Sequence, residues 1–190
     1  GCIHEIVVAI APGDAAWHTL PETLRQRVRT VHGGDDRAAS VLQALAGFSR
    51  RPAKGDWVLV HDMARPCVRP ERIRSMIDEL ADDEVGGLLA VPLVDTLKRA
   101  DGAQRVCETL DRSELWRAQT PQVFRFGVLE RALRAARADG VTITDEAMAV
   151  ERLGLAPRLL AGSADNIKVT VAEDMELAQY YLARRCGCRA

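Results

Sequence analysis

Trp57-Val58-Leu59-Val60-His61-Asp62-Met63-Ala64-Arg65-Pro66 changes character half-way along. Trp57 to Val60 is aromatic, β-branched and aliphatic, and it follows the charged, flexible Lys54-Gly55-Asp56. Such a run reads as a short strand buried on both faces. His61, Asp62 and Arg65 fall directly past the strand end, and Pro66 stops any regular structure. In open α/β sheets, ligands bind outside the carboxyl ends of the strands. A carboxylate there can hold Mg2+, and a nearby guanidinium can grip phosphate oxygens. The spacing fits equally a strand–turn junction with a surface Asp–Arg pair, so by itself it leaves both readings open.

Upstream, Ile6 to Ile10 reads as a buried strand closed by Ala11-Pro12-Gly13-Asp14. Trp17 to Arg27 is expected as a short helix and Val28 to Val31 as a second strand. Arg37 to Phe48 is expected as a helix with Val41, Leu42, Leu45 and Phe48 on its core face. Downstream, Pro70 to Ala81 reads as a helix with Pro in its first turn and Ile73, Met76, Ile77 and Leu80 inward. Gly87 to Val91 is a further buried strand. Asp95 to Ala100 and Arg105 to Leu110, joined through Asp101-Gly102, have the pattern of a β-hairpin arm of mixed polarity. Leu115 to Phe124 is extended, and Phe126 to Ala138 is a helix with Val128, Leu129, Ala132 and Leu133 inward. Thr144 is placed as the cap of a helix opened by Asp145-Glu146-Ala147. Pro157 to Ala161 is expected as a short strand, and Asn166 to Thr170 as a last short strand or extended run. Ala172 to Arg184 is expected as a helix burying Met175, Leu177, Ala178, Tyr181 and Leu182. Strands alternating with helices give an α/β class: a mostly parallel sheet in three layers, in a single domain over residues 1–190.

The chain has 190 residues, 47% hydrophobic and 28% charged, with a net charge of −1. This balance gives no global signal for nucleic acid or an anionic membrane. No apolar run approaches the roughly 20 residues that span a bilayer, and the start lacks the basic segment of a signal peptide. Cys2, Cys67, Cys107, Cys186 and Cys188 are odd in number, and Cys186-Gly187-Cys188 is too tight for an ordinary zinc half-site. They read as reduced thiols of a cytoplasmic protein.

Polar residues gather at the ends of elements. Gly33-Gly34-Asp35-Asp36-Arg37-Ala38-Ala39-Ser40 joins a strand to a helix, where backbone N–H groups can receive an anion or a base edge. It is equally a glycine turn with an Asp cap, and it is not a Walker A loop. Asp165-Asn166-Ile167-Lys168-Val169-Thr170 spaces a carboxylate and an ammonium for a metal and a phosphate, or for a salt-bridged turn.

Taken together, these runs resemble the 2-C-methyl-D-erythritol 4-phosphate cytidylyltransferase family of the non-mevalonate isoprenoid pathway. The matching runs are Gly33 to Arg37 with Ser40, Val58 to Pro66, Asp95-Thr96-Leu97-Lys98, Leu115 to Gln122, Thr142 to Ala147, and Asp165 to Thr170. They follow the family's order over nearly the whole chain, with Met63 where the family usually has Ala. The resemblance implies a Rossmann-like nucleotidyltransferase sheet and transfer of CMP from CTP to methylerythritol phosphate, with release of pyrophosphate. It implies Gly34, Asp35 and Ser40 at cytosine, and Asp62 at Mg2+ (or another divalent cation), with Asp165 a second candidate for the metal. Arg65 would place the substrate, and Thr144 and Lys168 would hold its phosphate. Thr96 and Arg112 would complete that pocket from the arm of a second subunit, in a homodimer formed through the 95–110 hairpin. Catalytic weight would then rest on Asp62, Arg65 and Lys168.

The family's Ala-Ala-Gly-x-Gly-x-Arg loop and its Pro-Lys-Gln have no counterpart here. The expectation is that a preceding segment belongs to the protein and that a chain starting at Gly1 loses activity and stability. Two other functions stay open at this point. One is cytidylyltransfer to another alditol phosphate such as ribitol 5-phosphate, and the other is a non-catalytic nucleotide-binding homologue.

Overall fold

The structure, a computed structural model, describes residues 3–185. In chain order its elements are β1 (Val7–Ile10), α1 (Ala15–Thr19), α2 (Glu22–Arg25), β2 (Arg29–His32), α3 (Arg37–Ala46), β3 (Trp57–Val60), α4 (Pro70–Glu79), β4 (Gly86–Pro92), β5 (Leu97–Ala100), β6 (Val106–Leu110), β7 (Trp116–Arg125), α5 (Phe126–Ala138), α6 (Glu146–Glu151), β8 (Arg158–Ala161) and α7 (Ala172–Arg185). They pack into two units, and the chain changes unit after Val60, Ile73, Gly87, Pro121 and Arg158.

The first unit holds the residues up to Val60, Arg74–Gly87 and Gln122–Arg158. Its β1 and β2 pair in parallel, Val7 opposite Arg29. Its β3 pairs antiparallel with the second half of β7, Trp57 opposite Arg125 and Val60 opposite Gln122. The Arg125 guanidinium lies 3.6 Å from the centre of the Trp57 ring. It also donates to the carbonyls of Asp83, Gly55 and Ala81 at 2.8–2.9 Å, tying three loops to one strand end. The core is built on Phe124, Met76, Leu80, Leu129, Leu133 and Val150, all fully buried. Gly86 has φ +125°, and a Cβ there would run into the Val123 carbonyl, so only glycine lets β4 start against β7.

The second unit holds His61–Ile73, Leu88–Pro121 and the described residues from Leu159 on. It contains most of β4, the first half of β7, β8 and α7, with Leu89, Ala90, Cys67, Leu160 and Ala178 buried. Its arm pairs β5 with β6 antiparallel, Leu97 opposite Leu110, with an irregularity between Arg99 and Ala100. Asp101 closes the turn by accepting from the N–H groups of Ala103 and Arg105, both at 2.9 Å. Val106, 64% exposed, leaves apolar surface on the arm.

Several sequence expectations change. The helix expected over Trp17 to Arg27 is two short helices, because Leu20 and Pro21 take extended backbone between them. Of the strand or extended run expected over Asn166 to Thr170, no strand forms; that run is held by a bond from the Val169 N–H to the Ala64 carbonyl at 2.7 Å. Asp145, not Thr144, caps α6: its backbone is extended and its carboxylate accepts from the Met148 N–H at 2.9 Å. Met175 and Leu177 are exposed, since the buried stripe of α7 is narrow and centred on Ala178. On α3 the fully buried residues are Ala38, Ala39 and Leu45, while Val41, Leu42 and Phe48 are half-buried. Cys67 is a buried and Cys107 an exposed free thiol; Cys2, Cys186 and Cys188 lie outside the described residues.

Candidate active site

In the first unit the loop between β2 and α3 is folded back on itself. The Ser40 hydroxyl accepts from the Gly34 N–H at 3.1 Å and donates to the Asp36 carbonyl at 2.9 Å. Asp36 caps α3 by accepting from the Ala39 N–H at 2.6 Å. A Cβ on Gly34 would overlap the Ala39 Cβ, so the backbone passes this point only as glycine. Gly34, Asp35 and Ser40 thus share one tight loop, with Asp35 exposed.

Arg37, next in the chain, sends two bonds of 2.8 Å to the two oxygens of Glu146, which is fully buried at the start of α6. Burial pushes the Glu146 carboxyl up, and the Arg37 guanidinium pulls it back. Gln122 grips the same helix start, donating to Asp145 Oδ2 at 2.9 Å and accepting from the Ala147 N–H at 2.8 Å. Thr144 stands just before this clamp, its hydroxyl 3.6 Å from Met148 Sδ.

In the second unit Asp62 is the second residue of the segment that begins at His61. Its carboxylate lies 3.2 Å from Lys168 Nζ and 3.8 Å from Arg65 Nε. A carboxylate set between two cations leaves net positive charge, which suits phosphate. The Arg65 side chain is largely buried and donates to the Asn166 carbonyl at 2.8 Å. Burial lowers its pKa, Asp62 opposes that, and the nearby Arg117 adds to it. The loop backbone is held throughout. The Asp62 N–H donates to Thr120 Oγ1 at 2.9 Å, and the Arg65 N–H donates to the Asp62 carbonyl at 3.0 Å. Thr120 Oγ1 is 3.0 Å from His61 Nδ1, and His61 Nε2 is 3.0 Å from the Arg65 carbonyl. Burial pushes the His61 pKa down.

Asp165 sits in a different setting. Its carboxylate takes bonds from Arg69 at 2.5 Å, Arg185 at 2.9 Å and the Ser163 hydroxyl at 2.5 Å. Burial alone would raise this carboxyl, but those three donors outweigh it and bring it down to about 2. At the foot of the arm, Arg112 donates to the Val94 carbonyl and Thr96 is exposed.

The structure therefore gathers Asp62, Arg65 and Lys168 together, and Gly34, Asp35 and Ser40 together. Reading the sequence assigned no role to His61, Thr120, Gln122, Asn166 or Glu146. A signal was present: Gln119-Thr120-Pro121-Gln122 puts polar residues into a run that continues as Val123-Phe124, and Gln119, Thr120, Gln122 and Asn166 are all buried. Among the described residues no group of three or more His, Cys, Asp or Glu could hold a metal ion. A single carboxylate can be enough for Mg2+, which is commonly held by one or two carboxylates with waters and substrate phosphates.

An α/β chain with two cations gathered past a strand end is compatible with the handling of phosphates. A sequence profile of the family described as IspD: 2-C-methyl-D-erythritol 4-phosphate cytidylyltransferase matches residues 1–184. The chain belongs to this family of nucleotidyltransferases. It is 48% identical over 187 residues to the 2-C-methyl-D-erythritol 4-phosphate cytidylyltransferase of Azoarcus sp. (strain BH72), covering 97% of this chain and 78% of that one. A crystal structure of 4-diphosphocytidyl-2C-methyl-D-erythritol synthase superposes with a TM-score of 0.83 at 40% identity, covering 95% of this chain and 83% of the other. The Francisella tularensis cytidylyltransferase does so with a TM-score of 0.80 at 33% identity, covering 93% and 80%. These likenesses place the sheet and helices in the nucleotidyltransferase fold. No helix among the described residues is long and apolar enough to cross a membrane.

Proposed function

We propose that this chain transfers CMP from CTP to 2-C-methyl-D-erythritol 4-phosphate in isoprenoid biosynthesis, in the cytoplasm and as a homodimer. The observation that carries the reading is the Asp62 carboxylate between Lys168 and Arg65, in a chain of this family. An oxygen of the acceptor phosphate attacks the α-phosphorus of CTP. A new P–O bond forms, the bond to the β-phosphate bridge breaks, and pyrophosphate leaves. The attacking oxygen is already anionic at neutral pH, so positioning and charge neutralisation supply the catalysis.

Gly34, Asp35 and Ser40 read the cytosine edge, their loop being too tight to shift for a purine. Arg65 orients the acceptor, and Lys168 holds its phosphate. Thr96 and Arg112 join from the arm of a second subunit. Mg2+, held through Asp62, would neutralise triphosphate oxygens. The three donors on Asp165 support a structural role for it, pinning the 163–168 loop, rather than a place in the metal site.

The test is a product assay of the full protein with CTP and Mg2+, offering methylerythritol phosphate and ribitol 5-phosphate separately. The expected product is 4-diphosphocytidyl-2-C-methyl-D-erythritol with stoichiometric pyrophosphate. A preference for ribitol 5-phosphate would assign the acceptor wrongly, and no turnover with either would end the enzymatic reading.

A further inference from the structure

His61 opens the loop that carries Asp62 and Arg65, yet nothing in the reaction above uses it. Its ring is engaged at both nitrogens, 3.0 Å from Thr120 Oγ1 on the Nδ1 side and 3.0 Å from the Arg65 carbonyl on the Nε2 side. A carbonyl oxygen can only accept, so the proton is on Nε2. With that single proton on the ring, Nδ1 is a bare lone pair and the Thr120 hydroxyl donates to it. That spends the hydroxyl's one hydrogen and turns its lone pairs to the Asp62 N–H, which donates to it at 2.9 Å. The opposite tautomer would face the Nε2 lone pair against the Arg65 carbonyl lone pairs. The directed chain therefore runs from the Asp62 N–H to Thr120, from Thr120 to His61, and from His61 to the Arg65 carbonyl. It closes around the turn already made by the Arg65 N–H and the Asp62 carbonyl at 3.0 Å.

We infer that His61 is a positioning residue: a neutral imidazole, protonated on Nε2, that fixes Asp62 for the reaction through Thr120 and the Arg65 turn. The inference rests on the proposed role of Asp62. Outer hydrogen bonds that orient the group doing the chemistry are a common arrangement at metal-dependent sites, and here they act on the backbone of Asp62. A small displacement of the loop would cost turnover rather than nucleotide affinity.

The experiment has a spectroscopic and a kinetic arm. Nitrogen-15 NMR of ring-labelled histidine in the full protein reads the tautomer directly and needs no folded variant. The expected spectrum has a protonated Nε2 and an unprotonated Nδ1. In kinetics, His61→Asn keeps an acceptor near the Nδ1 position and His61→Gln keeps a donor near the Nε2 position, so each preserves one end of the chain. Each, like Thr120→Val, should lower kcat about tenfold while moving KM for CTP by no more than about twofold. Thr120→Val should cost its full loss again in the His61→Asn background and a smaller loss in the His61→Gln background, where only the contact to the Asp62 N–H remains to be removed. Thr120→Ser, which keeps the hydroxyl, should recover most of the kcat lost in Thr120→Val. A proton found on Nδ1 overturns the inference. So does parental kcat in His61→Gln and Thr120→Val alongside an inactive Asp62→Asn, and in that case the role of Asp62 survives. A fully active Asp62→Asn would overturn both.

Discussion

Asp62 has two cations at its carboxylate and a threonine hydroxyl on its backbone N–H. Asp62→Asn keeps the size and most of the hydrogen bonding but removes the charge. We expect kcat to fall by about two to three orders of magnitude, with an unchanged near-ultraviolet circular dichroism spectrum; normal turnover at saturating Mg2+ would remove Asp62 from the metal site. Lys168→Ala should raise KM for the acceptor phosphate by roughly tenfold or more, well beyond any change for CTP. Steady-state kinetics varying each substrate separates the two, and a selective defect for CTP would place Lys168 on the wrong substrate. Asp165 gives a pH prediction. Its carboxyl is depressed from 3.8 to about 2, so the stabilisation it contributes is complete above 3.8 and is lost as pH falls through about 2. That contribution is on the order of 1–2 kcal/mol. Asp165→Asn should therefore flatten the loss of stability between about pH 4 and pH 2, as read by urea melts across that range. At this scale the sequence marked candidate residues but not which of them touch. Asp62 and Thr120 are 58 positions apart, and no periodicity links a strand end to a polar pocket that distant.

The helices and strands were the more legible part, because their patterns are local. Phe126–Ala138 forms as the 3.6-residue spacing of Leu129, Ala132 and Leu133 requires, and those side chains are fully buried. The cap of α6 was misread by one position because Thr and Asp are both good caps; Gln122, brought in by β7, settles the choice for Asp145. What ties α3 to α6 could not be read locally at all. Arg37 and Glu146 are 109 positions apart, and each looks like an ordinary surface charge in its own helix. Removing one partner of a buried ion pair leaves the other uncompensated. Glu146→Ala should cost about 3–5 kcal/mol, whereas Arg37→Met with Glu146→Leu should cost far less or nothing. Chemical denaturation of the single and double variants checks this, and a double variant as unstable as the single would mean that the pair is worth more than its desolvation.

For the whole molecule, the arm sets the prediction. An isolated two-stranded hairpin is marginal in water, and Val106 stands exposed on it. If Thr96 and Arg112 act across a homodimer, mixing Arg112→Ala subunits with Asp62→Asn subunits gives heterodimers with one intact site and one doubly defective site, and activity partly returns. Mixing that restores nothing, under conditions shown to exchange subunits, rules out the shared site. The interleaving of the two units has a consequence for biosynthesis. The loop from His61 to Arg65 emerges early from the ribosome, but Thr120, Asn166 and Val169, which fasten it, follow more than fifty to more than a hundred positions later. Nascent chains halted before residue 159 lack Asn166 and Val169, so their Asp62 loop should be only partly fastened, through Thr120, however well the β3 strand behind it has formed. Maturation of this centre is thereby timed to a late point in translation, after most of the first unit has already left the exit tunnel.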